Sequence, residues 1–175
     1  LIDDTDPSIL SNITTLRIQK TIVPVLNTVS KYNLAFSNAL YNPHSGHNSV
    51  MGGITTSTGF FISGKTQEHF IDDDGNGNLR AYSLTGGTTR TYLETNIGTI
   101  NYATGLLSIT DLNVTSSTET SGITVTVTPS SNDIVPVRNQ LLEIDNATLR
   151  VTGESDTIES GGSSAGTGYS TSSAY

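Results

Sequence analysis

Gly122-Ile123-Thr124-Val125-Thr126-Val127-Thr128-Pro129 is the stretch on which the fold turns. Ile123, Val125 and Val127 point one way and Thr124, Thr126 and Thr128 the other, the alternation of a half-buried strand. Pro129 has no N–H to continue the ladder and ends it. Working backwards, Ile97, Ile100 and Tyr102 lead into Ala103-Thr104-Gly105, and Leu107 and Ile109 lead back out, which reads as an antiparallel hairpin closed by a Gly-ended loop.

The same signals recur upstream. Leu79 to Leu84 and Arg90 to Thr95 read as strands separated at Gly86-Gly87. Phe60-Phe61-Ile62 and His69-Phe70-Ile71 flank Gly64-Lys65, a two-residue turn candidate. Tyr32, Leu34 and Phe36 alternate with Lys31, Asn33, Ala35 and Ser37. From Ile13 to Val23, β-branched content favours a strand that ends at Pro24 or lies at an edge, with helix as the alternative. Tyr41 to Gly46 and Asp72 to Asn78 are rich in turn residues and read as loops. Asp6-Pro7-Ser8 predicts a cap before a short helical turn carrying Ile9 and Leu10. A last hairpin pairs Leu142 and Ile144 with Leu149 and Val151 across Asn146-Ala147. After Gly153 the Ser160-Gly161-Gly162-Ser163-Ser164 tract predicts a disordered tail.

The expected class is therefore mainly β, with antiparallel sandwich-like sheets, a short N-terminal helical turn and a Gly/Ser-rich tail. The expected division is a connecting arm or strand over 1–30, a β-rich domain over 31–152 and a flexible tail over 153–175. Composition agrees with that class. Only 34% of the 175 residues are hydrophobic and Gly numbers 17, leaving room for one modest core. No Cys is present, which removes disulfides, thiolate metal sites and cysteine nucleophiles. With 16 acidic and 8 basic side chains, the net charge of -8 is a poor match to nucleic acid. No apolar run is long enough for a membrane-spanning helix. A chain opening at Leu1 rather than Met is expected to be a piece of a longer one.

The sharpest motif is Asp72-Asp73-Asp74-Gly75-Asn76-Gly77-Asn78. Asp72, Asp74, Asn76 and Asn78 alternate as oxygen ligands do in the first half of a calcium loop. Against calcium, the twelfth position is Ser83 instead of a bidentate Glu, and the flanks read as strands. A strongly turned β connection uses the same residues, so the expectation is no metal and no cofactor. His44 and His47 lack the further ligands of a zinc site. Ser residues have no strand-turn-helix setting of a nucleophile elbow, so no catalytic residue is expected and the chain reads as a non-enzyme. Contact surfaces are expected in Ile13 to Leu26 and Asn38 to Met51, with Leu16, Ile18, Ile22, Leu40, Tyr41, His44, His47 and Met51 as candidate interface residues.

Several blocks in order resemble a known family. Leu1-Ile2-Asp3-Asp4-Thr5-Asp6-Pro7-Ser8-Ile9, Asn38-Ala39-Leu40-Tyr41-Asn42-Pro43-His44-Ser45-Gly46 and Ser57-Thr58-Gly59-Phe60 are the first three. Asp72 through Tyr82, Ile97 through Gly105 and Asp133 through Asp145 complete the set. Together they resemble the C-terminal part of the baseplate wedge protein of T-even-like contractile phages, the gene product six family, in its cyanophage-type form. The resemblance implies a scaffold that dimerises and links neighbouring wedges into the ring around the tail hub. The implied partners are a second copy and other baseplate wedge proteins, and neither nucleic acid nor membrane. The implied location is the virion tail baseplate, assembled in the bacterial cytoplasm. Two other readings stand beside it. One is a tail-fibre or surface-adhesion module that binds glycan on a platform of Tyr41, Tyr82, Tyr92 and Tyr102, weakened by the absence of Trp. The other is a calcium-stabilised secreted β domain.

Overall fold

The computed structural model describes residues 15–47, 53–131, 147 and 149–153. The chain divides into two compact units, Leu1–Gln140 and Leu141–Tyr175. The first carries nine described strands: β1 (Ile18–Ile22), β2 (Val29–Ala35), β3 (Thr55–Ser57), β4 (Phe60–Ile62), β5 (Glu68–Asp73), β6 (Asn78–Thr85), β7 (Thr89–Asn101), β8 (Leu106–Ser117) and β9 (Ile123–Val127). There is no helix among the described residues. The helical turn at Ile9 and Leu10, most of the hairpin around Asn146 and nearly all of the tail lie outside them.

All pairings are antiparallel, and the larger sheet is not one half of a sandwich. It runs β2-β8-β4-β5-β6-β7, and β7 then returns to β8. Five strands, β4 to β8, thus close into a small barrel, which leaves no edge between them. β8 makes the closure possible by being long. Its first part, Leu106 to Ile109, pairs with β7, and its last part, Val114 to Ser117, pairs with β4. Its opposite edge carries β2. Where β7 meets β8, a Cβ on Gly98 would sit 2.1 Å from the Ser108 carbonyl oxygen, so only glycine lets the strands approach. The second sheet is β1-β9-β3, with β9 in the centre.

The 97–109 hairpin forms as its sequence dictates. Asn101 Oδ1 accepts from the N–H groups of Ala103 and Thr104, each at 3.1 Å, an Asx turn made by one side chain. Gly105 takes φ +66° and donates to the Asn101 carbonyl, while its own carbonyl accepts from Phe36 N. β9 also follows its alternation: Ile123, Val125 and Val127 are all fully buried. β1 is shorter than the apolar stretch from Ile13, and it stops before Pro24 at a sheet end, as that proline requires. Arg90–Thr95 and the strand into Tyr102 are one thirteen-residue strand, accommodated against β6 by register shifts at Leu79/Ala81 and Ala81/Tyr82. The β4–β5 turn is centred on Ser63 and Gly64, with Lys65 N donating to Ile62 O, inside a longer connection than the expected two residues.

One core serves both sheets. Ile22, Ile123, Val125 and Val127 from the small sheet join Phe60, Ile71, Leu79, Leu107, Ile109, Leu112 and Val114 from the barrel. Burying a side chain of that size contributes about 1.5–3 kcal/mol each, so this shared cluster holds the two sheets together.

Candidate functional site

β5 and the loop after it organise the polar chemistry of the molecule. Side chains alternate along the strand, so His69, Ile71 and Asp73 face one side of the barrel wall, and Phe70 and Asp72 the other. Asp72 and Asp73 therefore belong to the strand, and the loop proper is only Asp74 to Gly77.

On the outer face, register places Arg80 opposite Asp72 and Tyr82 opposite Phe70 and Tyr92. Arg80 grips both Asp72 oxygens, Nε to Oδ1 at 2.9 Å and Nη2 to Oδ2 at 3.1 Å. Arg90 Nη1 and the Tyr92 hydroxyl donate to the same Oδ2 at 2.7 and 2.8 Å. Each guanidinium also lies over a ring, Arg80 over Tyr92 at 4.3 Å and Arg90 over Tyr82 at 4.4 Å. Phe70 stacks on Tyr82 at 5.6 Å. Burial raises the Tyr82 and Tyr92 pKa values, and for Tyr92 the hydrogen bond to Asp72 adds to that rise. This is an ionic and aromatic clasp across three strands.

On the inner face, the buried Asp73 carboxylate accepts from Thr55 N at 2.9 Å, Gly75 N at 3.3 Å and the Tyr102 hydroxyl at 2.8 Å. It thereby ties β3, the β5–β6 loop and the β7–β8 hairpin to one point. Burial, followed by the nearby Asp73 charge, raises the Tyr102 pKa, and the Gly77 backbone opposes that rise. Asp74 closes the loop itself, accepting from Asn76 N at 2.7 Å, Asn78 N at 3.0 Å and Asn78 Nδ2 at 2.7 Å. Burial alone would raise its pKa, but the Asn78 and Asn76 hydrogen bonds outweigh that and lower it.

The four residues of the calcium motif are distributed as follows. The Asp72 oxygens are engaged by arginines on the outer face, and Asp74 bonds its own loop. Asp72, Asp74, Asn76 and Asn78 do not converge on a common point. Among the described residues no three His, Asp or Glu side chains are grouped to hold a metal ion.

The loop borders an open depression of about 630 Å³ between the 42–45 segment and the β7–β8 hairpin. Asn42, Ser45, Asn76, Thr99, Asn101 and Tyr102 contribute to its walls, and no lining side chain is charged. Ser45 Oγ donates to Asn76 Oδ1 at 2.6 Å, and Gly46 N donates to Gly75 O at 3.1 Å, stapling the two loops together.

The candidate contact residues separate into three groups. Ile22 and Leu40 are core residues, only 7% and 3% exposed, and Leu16 and Ile18 are half-buried, Ile18 against the core. Burial is the physical reason: Ile22 points from β1 into the shared cluster, and Leu40 sits against Pro129 through a β-bridge. Tyr41, His44 and His47 stay at the surface or half-buried and form a run of edge contacts, with centroids 5.5 Å apart in each pair. Met51 lies outside the described residues. The four tyrosines of the glycan reading do not form one platform. Tyr82 and Tyr92 belong to the Asp72 clasp, Tyr102 is committed to Asp73, and Tyr41 stands apart.

Exposed apolar side chains gather around the β1–β2 connection, three of them inside the expected Ile13 to Leu26 segment although none was among its named candidate residues. Val23, Val25, Leu26 and Val29 are 79%, 57%, 48% and 61% exposed. The signal was present: an apolar run broken by Pro24 cannot stay in a ladder and cannot turn inward as a strand face. No protein-family model matches the chain, and no curated protein or solved structure matches it.

Proposed function

We propose that this chain is a structural, non-catalytic subunit of a contractile-phage baseplate wedge, self-associating and joining neighbouring wedges around the tail hub. Two things support the reading. The first is the ordered set of sequence blocks that resemble the gene product six family. The second, which carries it physically, is the exposed group Val23, Val25 and Leu26 between β1 and β2 with Val29 at the start of β2, each of these strands being the outermost of its sheet among the described residues. Apolar surface of this kind beside strand edges is what a partner chain covers in an assembly.

The test is the mass of the purified chain by light scattering across a concentration series, with Val25→Asp/Leu26→Asp as the variant. A dimer that dissociates on dilution, and a variant that remains folded by circular dichroism but stays monomeric, is the expected result. A wild type that remains monomeric at high concentration, or a variant that dimerises unchanged, overturns the assignment of this surface.

A further inference from the structure

Asn76-Gly77 is the sole Asn-Gly step in the chain. We propose that the folded β5–β6 loop is a built site for succinimide formation at Asn76, a self-modification that converts this asparagine to aspartate or isoaspartate. The chemistry needs three things: an exposed side-chain amide, a following backbone nitrogen unhindered by a side chain, and groups that take up charge as the bond forms. Asn76 is exposed and Gly77 supplies the unhindered nitrogen. Ser45 Oγ donates to Asn76 Oδ1 at 2.6 Å, where negative charge develops during attack on Cγ.

The step balances without any added reagent except water. Gly77 N bonds to Asn76 Cγ, the Cγ–Nδ2 bond breaks, and the nitrogen leaves as ammonia with the proton from Gly77. Water then opens the ring at either carbonyl, giving aspartate or isoaspartate. The neighbouring Asp74-Gly75 step is an internal contrast. Its Gly75 N–H is held by Asp73 Oδ2 and its side chain accepts three hydrogen bonds, so both nucleophile and electrophile are engaged. Conversion at Asn76 places a negative charge in a depression whose walls carry none, and replaces the amide NH₂ donor with a second acceptor oxygen. The isoaspartate form also adds a methylene to the backbone beside Gly75, whose carbonyl holds Gly46.

Peptide mass mapping after incubation at neutral to mildly alkaline pH follows the one-step mass gain at Asn76, in folded chain and in the same chain unfolded by urea. The proposal expects conversion in the folded chain to be about tenfold faster than in the unfolded one. Ser45→Ala, verified as folded by circular dichroism, is expected to slow only the folded rate, by about fivefold. Asn76→Gln supplies the chain without the modification. A folded rate equal to or below the unfolded rate overturns the proposal, as does a Ser45→Ala rate equal to or above that of the wild type.

Discussion

Asp72 and Asp73 are adjacent on β5 and wholly buried, yet the two faces of the barrel wall accommodate their carboxylates by different means. Asp72, outside, is matched by two guanidiniums and a phenol, with aromatic rings shielding the cations. Asp73, inside, accepts from a backbone amide of β3, a backbone amide of the loop and the Tyr102 hydroxyl. The outer arrangement is dominated by charge and local to a meander of three strands. The inner one is made of neutral dipoles and ties together segments far apart in sequence. Charge is thus used to fix register within the sheet, and neutral donors to fix how loops sit on it.

The two faces are expected to fail differently when broken. Asp72→Asn leaves Arg80 and Arg90 facing each other without their shared anion, and loss of one member of a buried ion pair costs about 3–5 kcal/mol. Urea denaturation is expected to show a large fall in midpoint, the largest effect of the set, with Arg90→Met recovering part of it. Asp73→Asn retains an acceptor for Thr55 or Tyr102 but presents an N–H₂ to groups that donate, a loss of about 2–3 kcal/mol for a hydrogen-bonded buried carboxylate. Its signature is spatial: hydrogen exchange is expected to accelerate at Thr55, Gly75 and the 101–105 turn while β5–β6 amides keep their protection. An equal loss across β5 and β6 would erase the distinction between the faces.

The smallest effect concerns pH. His69 lies inside the barrel, fully buried, and neither ring nitrogen has a hydrogen-bond partner. Burial lowers its pKa from 6.5; the Gln67 backbone opposes this and the Lys65 charge adds to it. Below about pH 6.5 the unfolded chain takes up a proton that the folded chain resists, so stability falls as pH drops through that value. Thermal melts from pH 7.5 to 5 are expected to show this loss, and His69→Phe, beside Phe60, to flatten it.

Local chemistry was readable from the sequence and long-range pairing was not. Asn101 and Gly105 fix a turn within five residues, so the 97–109 hairpin was visible, and β9 needs only its own alternation to be found. The inclusion of Asp72 and Asp73 in a strand depends on Arg80, Arg90, Tyr102 and Thr55, none of which lies in the Asp/Asn/Gly run that made the segment look like a cation loop. Barrel closure was hidden for the same reason, since nothing in Leu106–Ser117 alone reveals that one strand serves three neighbours. Ile22 and Leu40 looked like surface contacts because the partners that bury them lie about a hundred residues later, in β9 and at Pro129.

That last separation has a consequence for how the chain is made. β1 pairs with β9, and the hydroxyls of Thr21 and Thr124, 3.0 Å apart, are 103 residues distant in sequence. During synthesis the first described strand leaves the ribosome long before its mate exists, while the β5–β6–β7 meander can assemble as it emerges. Closing so large a loop costs little more in free energy than closing a small one, but it must wait. Until β9 arrives, Ile18 and Ile22 remain uncovered beside the exposed valines of the β1–β2 connection. The nascent chain is consequently stickiest at the end that folds last.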